Sequence, residues 1–226
     1  MNNPAWFRLF AMALSLSWAV ATAAQEPAGR VEELRGTAQA VAPDNSVTAL
    51  VVGATLQPGD GVRVARNSRV RLRFGDGTVM ELGANGNMVL DKYAFSPEPE
   101  KNEFATRILF GTFRMVTGLI ARSNPRTVGV FAPVATIGIR GTHFAGEVTE
   151  TSAKVILLEP EEKDRATSIE VSNSYGEVVI DKPGFGTEIP DQFSPPSPVR
   201  QMQLRQIQNI LRSIRSSPPV SMPRGR

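Results

Sequence analysis

Between Val31 and Thr187 the chain is a succession of short runs rich in valine, isoleucine, threonine and phenylalanine, punctuated by glycine, asparagine and aspartate. Such runs predict β-strands joined by tight turns. The clearest is 69–74, where Val70, Leu72 and Phe74 alternate with Arg69, Arg71 and Arg73. Side chains alternate across a strand, so the apolar set faces a core and the arginine set faces water. Gly75-Asp76-Gly77 then supplies turn chemistry, because glycine accepts positive φ and aspartate bonds neighbouring amides. A return strand is expected at 78–82, and Ala84-Asn85-Gly86-Asn87 repeats the device before the run at 88–90.

Gly111, Gly129, Gly141 and Gly176 punctuate later runs, whose lengths of about five or six residues are ordinary for strands. Periodicity alone fits a solenoid-like sheet of stacked coils or hairpins as readily as a two-sheet sandwich. No fixed repeat aligns, which disfavours a regular repeat protein. Ser96 to Glu103, with Pro97, Pro99 and three acids, reads as an exposed loop. Pro183, Pro190, Pro195, Pro196 and Pro198 forbid a continuous ladder or helix and mark a boundary between body and tail. Beyond it Leu204, Ile207, Leu211 and Ile214 recur at helical spacing with Ile210 beside them, predicting one amphipathic helix over about 199–216.

The amino end changes the picture. One basic side chain, Arg8, precedes an uncharged, largely apolar run from Leu9 to Ala24 that closes on small residues. This predicts a secretory signal peptide over residues 1–24, cleaved before Ala24 or Gln25. The run is shorter than the roughly 20 residues of a spanning helix, and no later stretch offers one, so no transmembrane span is expected in the mature chain. The expected organisation is a signal peptide at 1–24, a β-domain at 25–191 and a Pro/Arg-rich tail at 192–226, placed in the periplasm or secreted. The chain has no cysteine, so an oxidising compartment would not be used to staple the fold.

Charge is unevenly spread. The chain has 25 basic and 22 acidic residues, and loss of Arg8 leaves 24 against 22. From Gln192 onward there are six arginines and no acid, so the body carries 18 against 22, a net −4. Such a body is not expected to bind nucleic acid.

Four segments, in order, resemble the FecR-domain family of bacterial envelope proteins. They are LQPGDGV at 56–62, RLRFGDGTVMEL at 71–82, ILFGTFRMV at 108–116 and PVATIGIRGTHF at 133–144. The ordered set covers about residues 31–185, and the last stretch is the most specific. The resemblance implies an all-β periplasmic module, solenoid-like in outline, whose best-known members sense the state of an outer-membrane receptor through protein contacts. The expected fold is therefore all-β, an irregular solenoid-like stack of short strands with one C-terminal amphipathic helix. The chain is more similar to the free-standing secreted members than to the membrane-bound regulators, because it shows neither their cytosolic anti-sigma segment nor their internal span. The resemblance marks Gly75, Asp76, Gly77, Gly138, Arg140, Gly141, Thr142 and Phe144 as motif residues with a structural or partner-binding role.

Catalytic chemistry finds little support. His143 is the single histidine, placed opposite Thr142 and Phe144 on its strand, where an exposed or lightly packed position is expected. One histidine and no cysteine do not make a soft-metal site, and the pairs Glu32-Glu33 and Glu161-Glu162 read as solvated acids. Asp76 lacks the alternating oxygen ligands of a calcium loop, and GIRGT at 138–142 lacks the spacing and lysine of a phosphate loop. No catalytic, metal or cofactor-binding residue is expected, and the chain is expected not to be an enzyme. Gly138 and Gly141 are expected at turns or close-packed sites, and the stem of Arg140 is expected to be partly covered. The expected partner is an envelope protein, engaged through strand edges or the basic tail. An anionic glycan or lipid could instead bind that tail through Arg205, Arg212 and Arg215. The tail helix is expected to cap an open end of the sheet, drawn there by the net negative charge of the body.

Overall fold

The alternation along 69–74 appears in the computed structural model as one buried and one water-facing row, and similar rows build the whole protein. The structure describes residues 27–141, 143–160 and 167–215. The signal-peptide segment, Thr142 and the Glu161-Glu162 pair lie outside the described residues.

In chain order the first strands are β1 (Gly29–Arg35), β2 (Ala38–Val41), β3 (Val47–Ala49), β4 (Thr55–Leu56) and β5 (Gly61–Val64). Next come β6 (Arg69–Phe74), β7 (Val79–Leu82), β8 (Asn87–Ala94) and the long β9 (Glu103–Val116). A five-residue helix, α1 (Leu119–Ser123), leads into β10 (Val128–Ala132), β11 (Ala135–Arg140), β12 (His143–Val148) and β13 (Ala153–Leu157). Last are β14 (Ser168–Asn173), β15 (Gly176–Ile180), β16 (Phe185–Ile189), β17 (Arg200–Gln201) and α2 (Leu204–Arg215).

These strands form one open sheet that β9 divides into two layers. Layer A runs β4-β1-β6-β7-β9-β12-β13-β16-β17, antiparallel throughout. Layer B runs β3-β2-β5-β8-β9-β10-β11-β14-β15, antiparallel except for the parallel pair β9 and β10. Residues 103–110 of β9 serve layer B and residues 111–116 serve layer A. The inner rows of both layers meet in one core, with Leu72, Met80, Phe113 and Phe144 from layer A against Met88, Leu90, Phe104 and Ile137 from layer B.

The passage of β9 between layers depends on Gly111. Its φ is +101°, and a Cβ there would stand 2.7 Å from the Cα of Gly86. Only glycine tolerates both the left-handed backbone and that approach.

Among the described residues two short α-helices accompany the strands, against the single one expected. α1 is too brief to show helical periodicity in sequence. α2 begins at Leu204, later than the 199–216 pattern suggested, because Arg200 and Gln201 are held extended against β16. Its docking also differs from the expectation. Ile210 and Ile214 are buried with Met202 against Ala145, Ile156 and Leu158, and Ile207 and Leu211 pack beside them. Ala145 and Ile156 point away from the main core, so α2 covers the outer face of β9, β12 and β13 and caps no sheet end. Burial of each of these isoleucines contributes about 1.5–3 kcal/mol, more than a surface charge attraction would.

Gly138 also departs from the expectation. It lies in mid-strand on β11, and an added Cβ would come no nearer than 3.7 Å to Glu170, an ordinary contact. Gly111→Val should therefore destabilise the protein by about 2–4 kcal/mol, since both strain and overlap with backbone act. Gly138→Val should stay within about 0.5 kcal/mol of the wild type. Urea unfolding of the two variants checks the contrast.

Candidate interaction surface

The motif residues fall into two groups that the register of layer A brings to one end of the sheet. Val79 of β7 opposes Val116 of β9, and Val116 opposes His143 of β12. The turn at Gly75-Asp76-Gly77 and the crossing at Gly141 therefore stand at the same end of neighbouring strands. Gly141, at φ +60°, lets the chain leave layer B at Arg140 and enter layer A at His143. Phe144 is a core residue, its ring edge-on to that of Phe113 at 5.8 Å. Arg140 is exposed at the end of β11, contrary to the expected covering, because an even-numbered position on this strand faces outward.

Asp76 does more than shape a turn. It is 2% exposed, and its carboxylate accepts from the backbone N–H and hydroxyl of Thr78 and from the N–H of Ile120. The Thr78 hydroxyl oxygen accepts from the N–H of Gly118, and the Asp76 carbonyl accepts from that of Leu119. A turn in layer A thus holds the start of α1. The Asp76 N–H donates to the Tyr93 hydroxyl oxygen of β8. Burial, and then the charge of Asp76, pushes the Tyr93 phenol up to about 12.

The outer face of layer A carries a longer polar chain. Arg73 and Arg71 both donate to Glu32, and Arg69 and Arg35 both donate to Glu33. Arg71 reaches on to Glu81 at 2.9 Å, and Arg114 reaches the same oxygen at 3.1 Å. Arg114 also donates to His143 Nε2 at 2.7 Å, and His143 Nδ1 lies 2.6 Å from the carbonyl oxygen of Glu159. The chain crosses β1, β6, β7, β9 and β12. Arg114 and Glu81 have side chains only 14% exposed, so this part is partly desolvated. The wet arginine face was legible in the alternation of 69–74. Glu81, Arg114 and the two bonds of His143 were missed, and their one signal was a polar letter between apolar ones inside a strand. Hydrogen bonding to Arg73 holds the Glu32 carboxyl below the ordinary value of 4.5, and bonding to Arg69 does the same for Glu33.

A cavity of about 390 Å³ lies between this face and the last turn of α2. It is lined by Glu33, Arg35, Arg69, Val70, Arg71, Glu81, Arg114 and Ile214. The attraction expected between a negative body and a basic helix is therefore not local to the docking face, where arginines predominate. Arg205 and Arg212 are exposed on α2, and nothing is described for the Arg215 side chain.

The remaining feature is an edge of layer B. Among the described residues β15 has a strand register with β14 alone. Tyr175 and Val179 are 53% and 56% exposed there. Phe193, 68% exposed, lies beside Ser194, whose carbonyl accepts from the Asn173 side chain at the β14–β15 turn. Among the described residues no helix is long and apolar enough to cross a membrane.

Residues 60–161 match the sequence model of the family described as FecR protein. No curated protein matches the chain. Two crystal structures of a protein from Parabacteroides distasonis, provisionally assigned as an anti-sigma factor, share its fold at TM-scores of 0.50 and 0.51. Both are 14% identical, and the match covers 67% of this chain. It spans 64% of theirs, so this chain accounts for just under two thirds of their length.

Two outcomes follow from these networks. Asp76→Ala leaves Thr78 and Ile120 donors buried without an acceptor, so it should lower stability by about 2–3 kcal/mol in urea unfolding. For Glu32 and Glu33 the folded carboxyls sit below their unfolded value. Their contribution is present above pH 4.5 and is lost as pH falls through the folded values. Urea midpoints between pH 7 and pH 3 should therefore fall less steeply in Glu32→Gln than in the wild type.

Proposed function

Because residues 60–161 match the FecR family model, we propose that the protein is a signalling or regulatory module that binds a protein partner and performs no chemistry. The carrying observation is the edge of layer B, where β15 is in register with β14 alone among the described residues, with Val179 exposed on it and Tyr175 exposed in the turn before it. An extended partner segment added to this edge would gain main-chain hydrogen bonds, and those two side chains would supply apolar contact. The doubled sheet, whose chain crosses repeatedly between layers, supports reading the body as an irregular solenoid-like scaffold for that contact. The fold shared with a provisionally assigned anti-sigma factor is compatible with a regulatory role. The polar chain of layer A supports the non-enzymatic reading, since each of its acids is tied to arginine and His143 accepts from a cation.

In this proposal the protein is exported with residues 1–24 removed and works in the periplasm or outside the cell, on the strength of the charged start and apolar run. Amino-terminal sequencing of protein recovered from the envelope fraction should begin at Ala24 or Gln25. The partner role is checked by capture from native envelope extracts with the wild type and with the double variant Tyr175→Lys, Val179→Lys. Both positions are exposed, so the variant should unfold at an unchanged urea concentration while losing the captured protein. Capture at the wild-type level by a normally folded variant would remove the edge from consideration.

A further inference from the structure

We propose that the outer face of layer B, where the β10–β11 and β14–β15 turns meet, is a binding site for an uncharged saccharide. Strand register sets its floor. Phe131 of β10 opposes Thr136 of β11, and Thr136 opposes Ser172 of β14. Directly opposed residues share a face, and all three stand on the outward rows of their strands, whose alternate residues fill the core. The row spans about 10 Å at ordinary strand spacing, the reach of a disaccharide. It leads into an open cleft of about 490 Å³ between the two turns, where Asn173, Tyr175 and Gln192 join Thr136 and Ser172.

The ring of Phe131 is set as a platform. A Cβ on Gly129 would stand 3.3 Å from its Cε2 and Cζ atoms, so the ring lies across the glycine while remaining 40% exposed. A branched side chain at 129 would turn it aside. An aromatic face carries partial negative charge, and the C–H groups on one side of a sugar ring carry the complementary positive charge. Hydroxyl and amide groups each donate and accept, as sugar hydroxyls do, and Thr136, Ser172 and Gln192 supply them beside the ring. The turn is fixed in advance. The Asn173 side chain accepts from the Tyr175 N–H and donates to the Ser194 carbonyl, and the Asp191 carboxylate accepts from the Phe193 N–H and the Ser194 hydroxyl. Such anchoring reduces the ordering that a ligand must impose. Arg107, bonded to Asp91, ends the row beside Phe131, and Glu177 ends it beside Ser172, so charges of both signs flank it. That flanking favours an uncharged ligand over either kind of ion. Neither Phe131 nor Gly129 belongs to β15, so this inference stands or falls apart from the edge proposed for a protein partner.

The full chain is titrated with cellobiose, maltose and di-N-acetylchitobiose, each read by isothermal titration calorimetry and by saturation-transfer NMR. Saturable heat with at least one disaccharide is expected, with transfer strongest to the C–H protons on one face of a sugar ring. Saturation by one of the three assigns the stereochemistry of the sugar, and saturation by several assigns a shared pyranose face. Phe131→Ala should weaken binding by about tenfold through loss of the aromatic contact. Gly129→Val, which deletes no contact group, should weaken it by a similar factor through the displaced ring, and Thr136→Val by about fivefold through loss of one hydrogen bond. Val179→Lys, on β15, should bind as the wild type does. Phe131 is exposed, and apart from that ring the new Cβ at 129 would meet only an ordinary contact, so these variants should melt as the wild type does and keep the test open. Absence of saturation with all three disaccharides, or saturation unchanged in both Phe131→Ala and Gly129→Val, overturns the proposal. So does capture of an envelope protein that is lost in Phe131→Ala while no disaccharide binds, since the face then serves a protein.

Discussion

The contact between Gly111 and Gly86 is the constraint on which the rest of the structure depends. β9 can serve both layers only because its backbone turns left-handed at Gly111 and passes Gly86 closer than any side chain would permit. On one side of that point β9 completes the ladder with β8 and β10, and on the other the ladder with β7 and β12. The parallel pairing of β9 with β10 needs a crossover, because parallel neighbours cannot be joined by a tight turn. α1 lies in that crossover, and Asp76 fixes its first turn from the neighbouring strand connection. The buried carboxylate and the glycine contact are two parts of one arrangement that sets the layers face to face.

The outer face of layer A is used in two ways. Where α2 covers it, over β12, β13 and the adjoining part of β9, it is apolar, and the helix's isoleucines bury enough surface to hold a segment too short to be stable alone. Over β1, β6 and β7 it is a chain of arginines and glutamates. Exposed pairs of this kind contribute roughly 0.2–1 kcal/mol each, far less than the buried isoleucines. The arginine face therefore adds less to stability than the helix that adjoins it. The helix and the charged face adjoin where Ile214 borders the cavity.

Particular residues show what could be read early. The row Val70, Leu72, Phe74 declared its buried face, and the stripe from Ile207 to Ile214 declared a helix with a covered side. Arg140 and Gly138 were misjudged because a family motif names letters without saying which face of the strand they occupy, and both face outward. His143 looked inert because neither Arg114 nor the Glu159 carbonyl is near it in sequence. Asp76 was read correctly as a turn former, yet its second duty depends on Ile120, 44 positions away.

The residues by themselves determined what depends on backbone geometry over a few positions. Strand alternation, glycine and aspartate turns, proline breaks and the helical stripe follow from periods of two and 3.6 residues that hold in any surroundings. Only the tertiary structure decided which rows meet. Glu32 bonds Arg73 from 41 positions away and Arg114 bonds Glu81 from 33. It also put α2 on a sheet face and an arginine cavity beside it. Closing such distances depends on chain entropy and on the packing of the whole core. A carboxylate therefore meets one guanidinium among many only after β9 has brought the two layers together.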